Sequence, residues 1–189
     1  MPSSTGSIYE RELKYVLSGD KKTITQMIKT CDEDESISYK IMLEEPFLVV
    51  RAAGSLGVDL VAMRWDYSFP IEVKSSAEEI MHFSRNPRLT QQAAKMKNAC
   101  HRSNLLPIYA FRLKSVRGDP WRIFTIPTGE EIKGKNENLR QMIPCMEVTG
   151  NGNYIMRWNE GMKLCDLISF MSRGHIFSAP ADTGEIYEE

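Results

Sequence analysis

The sequence has few cysteines, and the four it holds, Cys31, Cys100, Cys145 and Cys165, stand far apart with no C-x-x-C pair. Neither a zinc ribbon nor a disulfide framework fits that spacing, so reduced, mostly buried thiols are expected. The three histidines, His82, His101 and His175, are isolated from one another, and none sits at ligand spacing with another histidine or a cysteine, so no metal role is assigned to them. No apolar run is long enough to span a bilayer, and the opening "MPSSTGSIYERELKYVL" lacks the charged-then-apolar plan of a signal peptide. A cytoplasmic protein without membrane contact is expected. Repeats and low-complexity tracts are also lacking. Strong net charge is missing too, at −1 over 189 residues, which argues mildly against a nucleic-acid partner.

That average hides a separation of signs. Between Met81 and Thr125 the chain carries Arg85, Arg88, Lys95, Lys97, Arg102, Arg112, Lys114, Arg117 and Arg122 against the single acid Asp119. Acids collect instead in "CDEDES" and in the tail "DTGEIYEE". Such segregation favours one basic surface for a polyanion.

With 42% hydrophobic residues, a chain of this length can bury one sizeable core. In "SIYERELKYVL", Tyr9, Leu13, Val16 and Leu17 lie on one helical face, and Ser7 with Glu10 three residues later reads as a capping box that starts a helix near Ser7. The polar stretch to Pro46 reads as loops, "SGDKK" and "CDEDESIS", around a short helix near Ile24 to Ile28. Strands follow in "PFLVVRAAG", "VDLVAMR" and "FPIEVKSS", the last two joined by a turn around Trp65 to Ser68. A helix spans about Arg88 to His101, with Leu89, Ala93, Met96 and Cys100 on its apolar face. Strands "LLPIYAFRL" and "WRIFTIP", then strand "YIMRW" and helix "EGMKLCDLISFM", complete one α/β domain on a mixed sheet. Trp121 and Trp158 fit core or interface packing.

The hairpin holds an anomaly. Asp59, Glu72 and Lys74 interrupt strands that otherwise look buried. Glu72 and Lys74 share a strand face, and folding about Trp65 and Asp66 sets Asp59 opposite Glu72, with Cβ atoms about 5 Å apart. Two carboxylates so close repel unless a cation joins them, and hard oxygen ligands select Mg²⁺ or Mn²⁺. The Val73 carbonyl could supply a further ligand. The spacing alone is equally met by a surface ion pair.

The ordered set "GSIYERELKYVL", "FLVVRAAGSLGVDLVAM" and "PIEVKSS", followed by "WRIF" and "YIMRWNEGMKLCDLISFM", resembles the archaeal Holliday junction resolvase family of the PD-(D/E)xK nuclease superfamily. The resemblance implies a restriction-endonuclease-like core: a mixed five-stranded sheet flanked by helices, in a nuclease domain over residues 1–173. It implies a Mg²⁺-dependent endonuclease, with Mn²⁺ as substitute, that resolves four-way junctions by paired nicks in recombination and repair. The protein would be a nucleoid-associated homodimer. Asp59, Glu72 and the helix-borne Glu10 would hold metal with the Val73 carbonyl, and Lys74 would be the catalytic lysine. Ser55 would lie near the scissile group, Arg11 and Arg51 near the phosphate, and Gln91 or Gln92 behind the lysine. Arg85, Arg88, Lys95, Lys97 and Arg102 are candidates for the DNA backbone. Two alternatives stay open: another endonuclease of the same superfamily acting on non-junction DNA, and a junction-binding protein that does not cut. Residues of about 18–46 form an acidic insert longer than the family's usual connection, expected to stay off DNA, and 174–189 form an acidic tail. Either could recruit a recombination or replication protein.

Overall fold

The computed structural model describes residues 4–52, 57–127 and 134–176. Its first helix, α1 (Ser4–Leu17), buries Leu13, Val16 and Leu17, the apolar stripe expected from the sequence. The helix opens a full turn before the expected start, so Ser7 is inside it and Glu10 is not part of a cap. That releases the Glu10 carboxylate for a partner elsewhere.

Gly19 ends α1 with φ +72°, a conformation that favours glycine. Gly19 N donates to Val16 O at 3.1 Å and Asp20 N to Tyr15 O at 2.9 Å, the paired bonds of a Schellman motif. A Cβ at Gly19 would sit 2.4 Å from Met42 O, so the tight approach of the following segment also requires glycine. Asp20 then caps the next helix, accepting from Thr23 N at 2.8 Å. The "SGD" stretch is therefore the joint between two helices.

The acidic segment departs from expectation. It folds as α2 (Lys21–Met27), a 3-10 turn (Ile28–Thr30) and α3 (Glu33–Ile41). Asp32 and Glu35 form a full capping box, with Glu35 N to Asp32 Oδ1 at 2.8 Å and Asp32 N to Glu35 Oε2 at 3.2 Å. The segment expected as a loop is thus a helix N-terminus, where acids are stabilised by the helix dipole. Ile24, Tyr39 and Met42 enter the core.

Six strands make the main sheet among the described residues: β1 (Leu48–Arg51), β2 (Leu60–Met63), β3 (Ser68–Ser76), β5 (Ile108–Leu113), β6 (Trp121–Phe124) and β9 (Met162–Lys163), in that order. The expected class, α/β with a mixed sheet flanked by helices, is what the chain forms; the two-residue β9 raises the count from five to six. All pairs are antiparallel except β3 with β5. The crossover between those two carries β4 (Ile80–His82) and α4 (Pro87–Arg102). A second sheet joins β4 to β8 (Tyr154–Arg157) and β7 (Glu147–Val148). The last helices are α5 (Lys135–Met142) and α6 (Leu164–Ile176).

Alternation along the strands divides two cores. Leu60, Phe69, Ile71, Ile108, Ala110 and Ile123 pack with α1 and α6 on one face. Tyr109, Phe111 and Phe124 pack with Ala93, Met96 and Cys100 of α4 on the other.

Asp119 joins the acidic segment to the sheet. It is 2% exposed and accepts from Tyr39 Oη at 2.7 Å, Trp121 N at 2.8 Å and Cys165 N at 2.8 Å. Burial raises its pKa, and those three donors oppose the rise. Glu35 extends the network, accepting from Asp119 N at 3.2 Å and from Lys163 Nζ at 2.9 Å. Asp119→Ala would leave buried donors unpaired, and a loss of about 3 to 5 kcal/mol is expected in urea unfolding, against about 1 kcal/mol for Tyr39→Phe. Equal effects of the two would refute the anchoring role of the carboxylate.

Candidate active site

The hairpin register pairs Leu60 with Ile71, which sets Asp59 across from Glu72 as the sequence predicts. Here β2 parts from β3. Asp59 N still donates to Ile71 O at 3.0 Å, but Val73 N donates to the Asp59 side chain, Oδ2, at 2.8 Å. The carboxylate replaces a backbone acceptor that the departing strand no longer offers. Backbone groups two residues apart on a strand face the same neighbour, so the Val73 carbonyl also points to the Asp59 side.

Glu72 is 2% exposed. Its Oε1 accepts from Lys74 Nζ and, at 2.7 Å, from Gln92 Nε2. Gln92 Oε1 accepts from Lys74 Nζ at 3.3 Å, closing a three-residue ring. The other oxygen, Oε2, is buried without a partner. Burial pushes the Glu72 carboxyl up to about 7; Lys74 draws it down and Asp59 raises it further. Tyr109, the register partner of Glu72 on β5, holds the second unpartnered buried oxygen among the described residues. Its hydroxyl is held neutral by burial first and by the nearby Glu72 charge second. The sequence reading placed Tyr109 only in an apolar strand.

Gln92 owes its place to Gly57. That glycine has φ +73°, and a Cβ on it would lie 2.5 Å from Gln92 Cγ and 2.9 Å from Gln92 O. The chain entering β2 therefore rests on α4 at the glutamine itself. Gln91, the other expected candidate, is exposed.

The remaining predicted residues divide. Glu10 accepts from Arg51 Nη2, an ion pair that joins α1 to the end of β1. The next residue, Ala52, donates to Asp59 O at 2.9 Å, but Arg51 is the register partner of Leu60, so its side chain leaves the sheet on the α1 face while Glu72 faces α4. No group of three His, Cys, Asp or Glu side chains among the described residues is gathered for a metal, so Glu10 is not drawn into the Asp59–Glu72 cluster. Arg11 lines a separate groove of about 440 Å³ with Glu12, Thr23 and Arg112. Ser55 lies outside the described residues, as does the side chain of Arg85.

Arg88, Lys95 and Arg102 recur every seven residues on α4, on the flank that also carries Gln92, and all three are exposed. Lys97 falls on the other side of the buried stripe. The basic run is smaller than its sequence count. Arg112 is bound to Glu12 at 2.9 Å, and Arg122 lies buried with its guanidinium 3.7 Å from the Trp158 ring centre.

This set fits a divalent cation. An orphaned buried carboxylate oxygen, a facing carboxylate and a backbone carbonyl are hard oxygen donors, and Lys74 answers only one oxygen of Glu72.

No family model matches the chain, and no curated protein matches it. Among solved structures it is similar to the Archaeoglobus fulgidus Hjc, a Holliday junction resolvase from an archaeal hyperthermophile, at 17% identity over 88% of this chain and 97% of that one, with a TM-score of 0.48. So distant a likeness leaves function to be read from the side chains.

The Glu72 shift has a measurable consequence. Its folded pKa of about 7 lies above the ordinary 4.5, so the folded form holds the proton longer and stability falls as pH rises from 4.5 to 7. In metal-free urea unfolding the wild type should lose on the order of 3 kcal/mol relative to Glu72→Gln across that window and no more above it. A difference that does not change with pH would refute the shift.

Proposed function

We propose that the chain is a restriction-endonuclease-like, Mg²⁺-dependent nuclease that cuts DNA at four-way junctions, with residues 1–173 as the nuclease domain. The observation that carries the reading is the partnerless buried oxygen of Glu72 facing Asp59, with the other oxygen held by Lys74 and Gln92. The ordered sequence motifs supply the junction.

Asp59, Glu72 and the Val73 carbonyl would hold Mg²⁺, or Mn²⁺ in its place. The ion supplies charge neutralisation on a phosphoryl oxygen and a water of lowered pKa. Glu72 divides its two oxygens: Oε1 fixes Lys74, and Oε2 is left for the ion. Lys74 is kept by Glu72 and Gln92 on the same face as the carboxylates, where its ammonium can orient a water or offset charge developing on the phosphate. Glu10 holds Arg51 at the end of β1, and this half-exposed guanidinium would meet a phosphate of the same strand at the sheet edge rather than within the Asp59–Glu72 cluster. Arg88, Lys95 and Arg102 would track the backbone next to Gln92 without reading bases. Ser55 stays as a proposed contact near the scissile group and Arg11 as one near the phosphate, and no metal role is proposed for the three histidines.

A four-way junction has two-fold symmetry, and paired nicks call for two identical sites, so a homodimer with an isologous interface is the working assembly. No helix among the described residues is long and apolar enough to cross a membrane; the cytoplasm and the nucleoid are the proposed setting.

A synthetic four-way junction should give paired nicks with Mg²⁺ and none with chelator, while its isolated duplex arms stay intact. Asp59→Asn should leave no product above background, and Lys74→Ala should slow cleavage by about 10²- to 10⁴-fold with junction binding retained. Equal cutting of the arms would replace the junction reading by a nuclease for linear DNA. Full binding with no cutting under any metal would leave a scaffold protein.

Binding should also weaken steeply with salt. Arg88→Ala, Lys95→Ala and Arg102→Ala should each lower the slope of log affinity against log salt by about 1, equally for different junction sequences. Unchanged slopes would remove α4 from the DNA surface.

A further inference from the structure

On the α6 side of the sheet, opposite α4, α3 and α6 lie side by side, their Ser38 and Ser169 hydroxyls 2.7 Å apart. Beside them, toward the end of α5, opens a groove of about 910 Å³. Its lining is mixed, with Ser38 and Ser169 set among apolar side chains. Ile37 is 55% exposed and Met142 49% exposed, and Phe170 packs from below onto the core. The rim is acidic, with Asp34, Glu160 and Asp166. None of the described residues that line it is a lysine or arginine. Two cations stand near the rim and both are already paired: Arg157 lies 3.9 Å from Glu160 and is held more closely by Glu147 at 2.8 Å, and Lys163 is bound to Glu35 at 2.9 Å.

The combination selects its occupant. Large apolar side chains left in water on a concave surface mark a place that another surface covers, and methionine adapts its shape to what it meets. A rim of one sign admits the opposite sign and repels phosphate, so DNA is excluded here. A second copy docking this patch on itself would bring acid against acid. We propose that the groove docks an amphipathic helix of a partner protein, with Leu- or Ile-type side chains on one face and Lys or Arg flanking them. The inference does not depend on the nuclease reading. The basic flank of α4 lies across the sheet, so the two surfaces can be occupied together.

The probe is a fluorescein-labelled peptide of leucine and lysine at amphipathic helical spacing, titrated into the full chain and followed by anisotropy and by amide chemical shifts. Saturable binding is expected, with shifts confined to α3, α5 and α6. A leucine–glutamate counterpart should not bind. Ile37→Lys and Met142→Lys, both at exposed positions, should each weaken binding about tenfold or more, as expected for loss of one apolar anchor and gain of a like charge. Arg88→Ala should leave it unchanged. Shifts centred on α4, or affinity indifferent to Ile37→Lys, would overturn the proposal. So would conversion of a dimer to a monomer by Ile37→Lys in sedimentation, which would assign the groove to a second copy.

Discussion

A carboxylate shut inside a sheet with one oxygen unanswered is the constraint around which this molecule is organised. An ionised group so placed is costly unless a positive charge reaches it. Glu72 has such a charge on one oxygen, from Lys74, and none on the other. The surrounding elements keep that imbalance in place. Gly57 lets the entering chain lie against Gln92, Gln92 binds Glu72 and Lys74 together, and Asp59 seals the frayed ladder at Val73. A sheet built only for stability would put an aliphatic residue at this position.

The opposite side of the domain is organised around a different acid. Asp119 is the one carboxylate in a long basic stretch, and its two oxygens take a tyrosine from α3, the start of β6 and the start of α6. Here both oxygens are engaged. Two buried acids thus serve opposite ends: one is satisfied and holds elements together, the other is unsatisfied and keeps a place open.

How far these features could be read in advance depended on the distance over which their causes act. The hairpin was legible because a strand's side-chain period and a short turn fix which residues face each other, and Asp59 and Glu72 fell opposite as expected. The helices with a clear apolar stripe, α1, α4 and α6, were legible for the same local reason. α3 was not, because its buried face is little more than Tyr39 and its acids look like a loop; yet Asp32 and Glu35 stood at capping-box spacing. The same device misled at Ser7 and Glu10, where helix continued upstream and Glu10 turned to Arg51. Arg112 and Arg122 counted as surface charge until Glu12 and Trp158, remote in sequence, were seen to occupy them. Tyr109 beside Glu72 needed the parallel pairing of β3 with β5, which no local pattern announces.

That parallel pair also governs when the centre comes into being. Glu72 and Lys74 are two residues apart and meet as soon as β3 is extended, but Gln92 is borne on the crossover helix and Tyr109 on the strand beyond it. Parallel strands joined by a long crossover close slowly, since chain entropy must be lost before the contacts form. A nascent or partly unfolded chain therefore exposes the acids and the lysine without the frame that divides their roles. The frame that divides the two oxygens of Glu72 is therefore a product of long-range closure, complete only when β3 has met β5 with α4 laid across the pair.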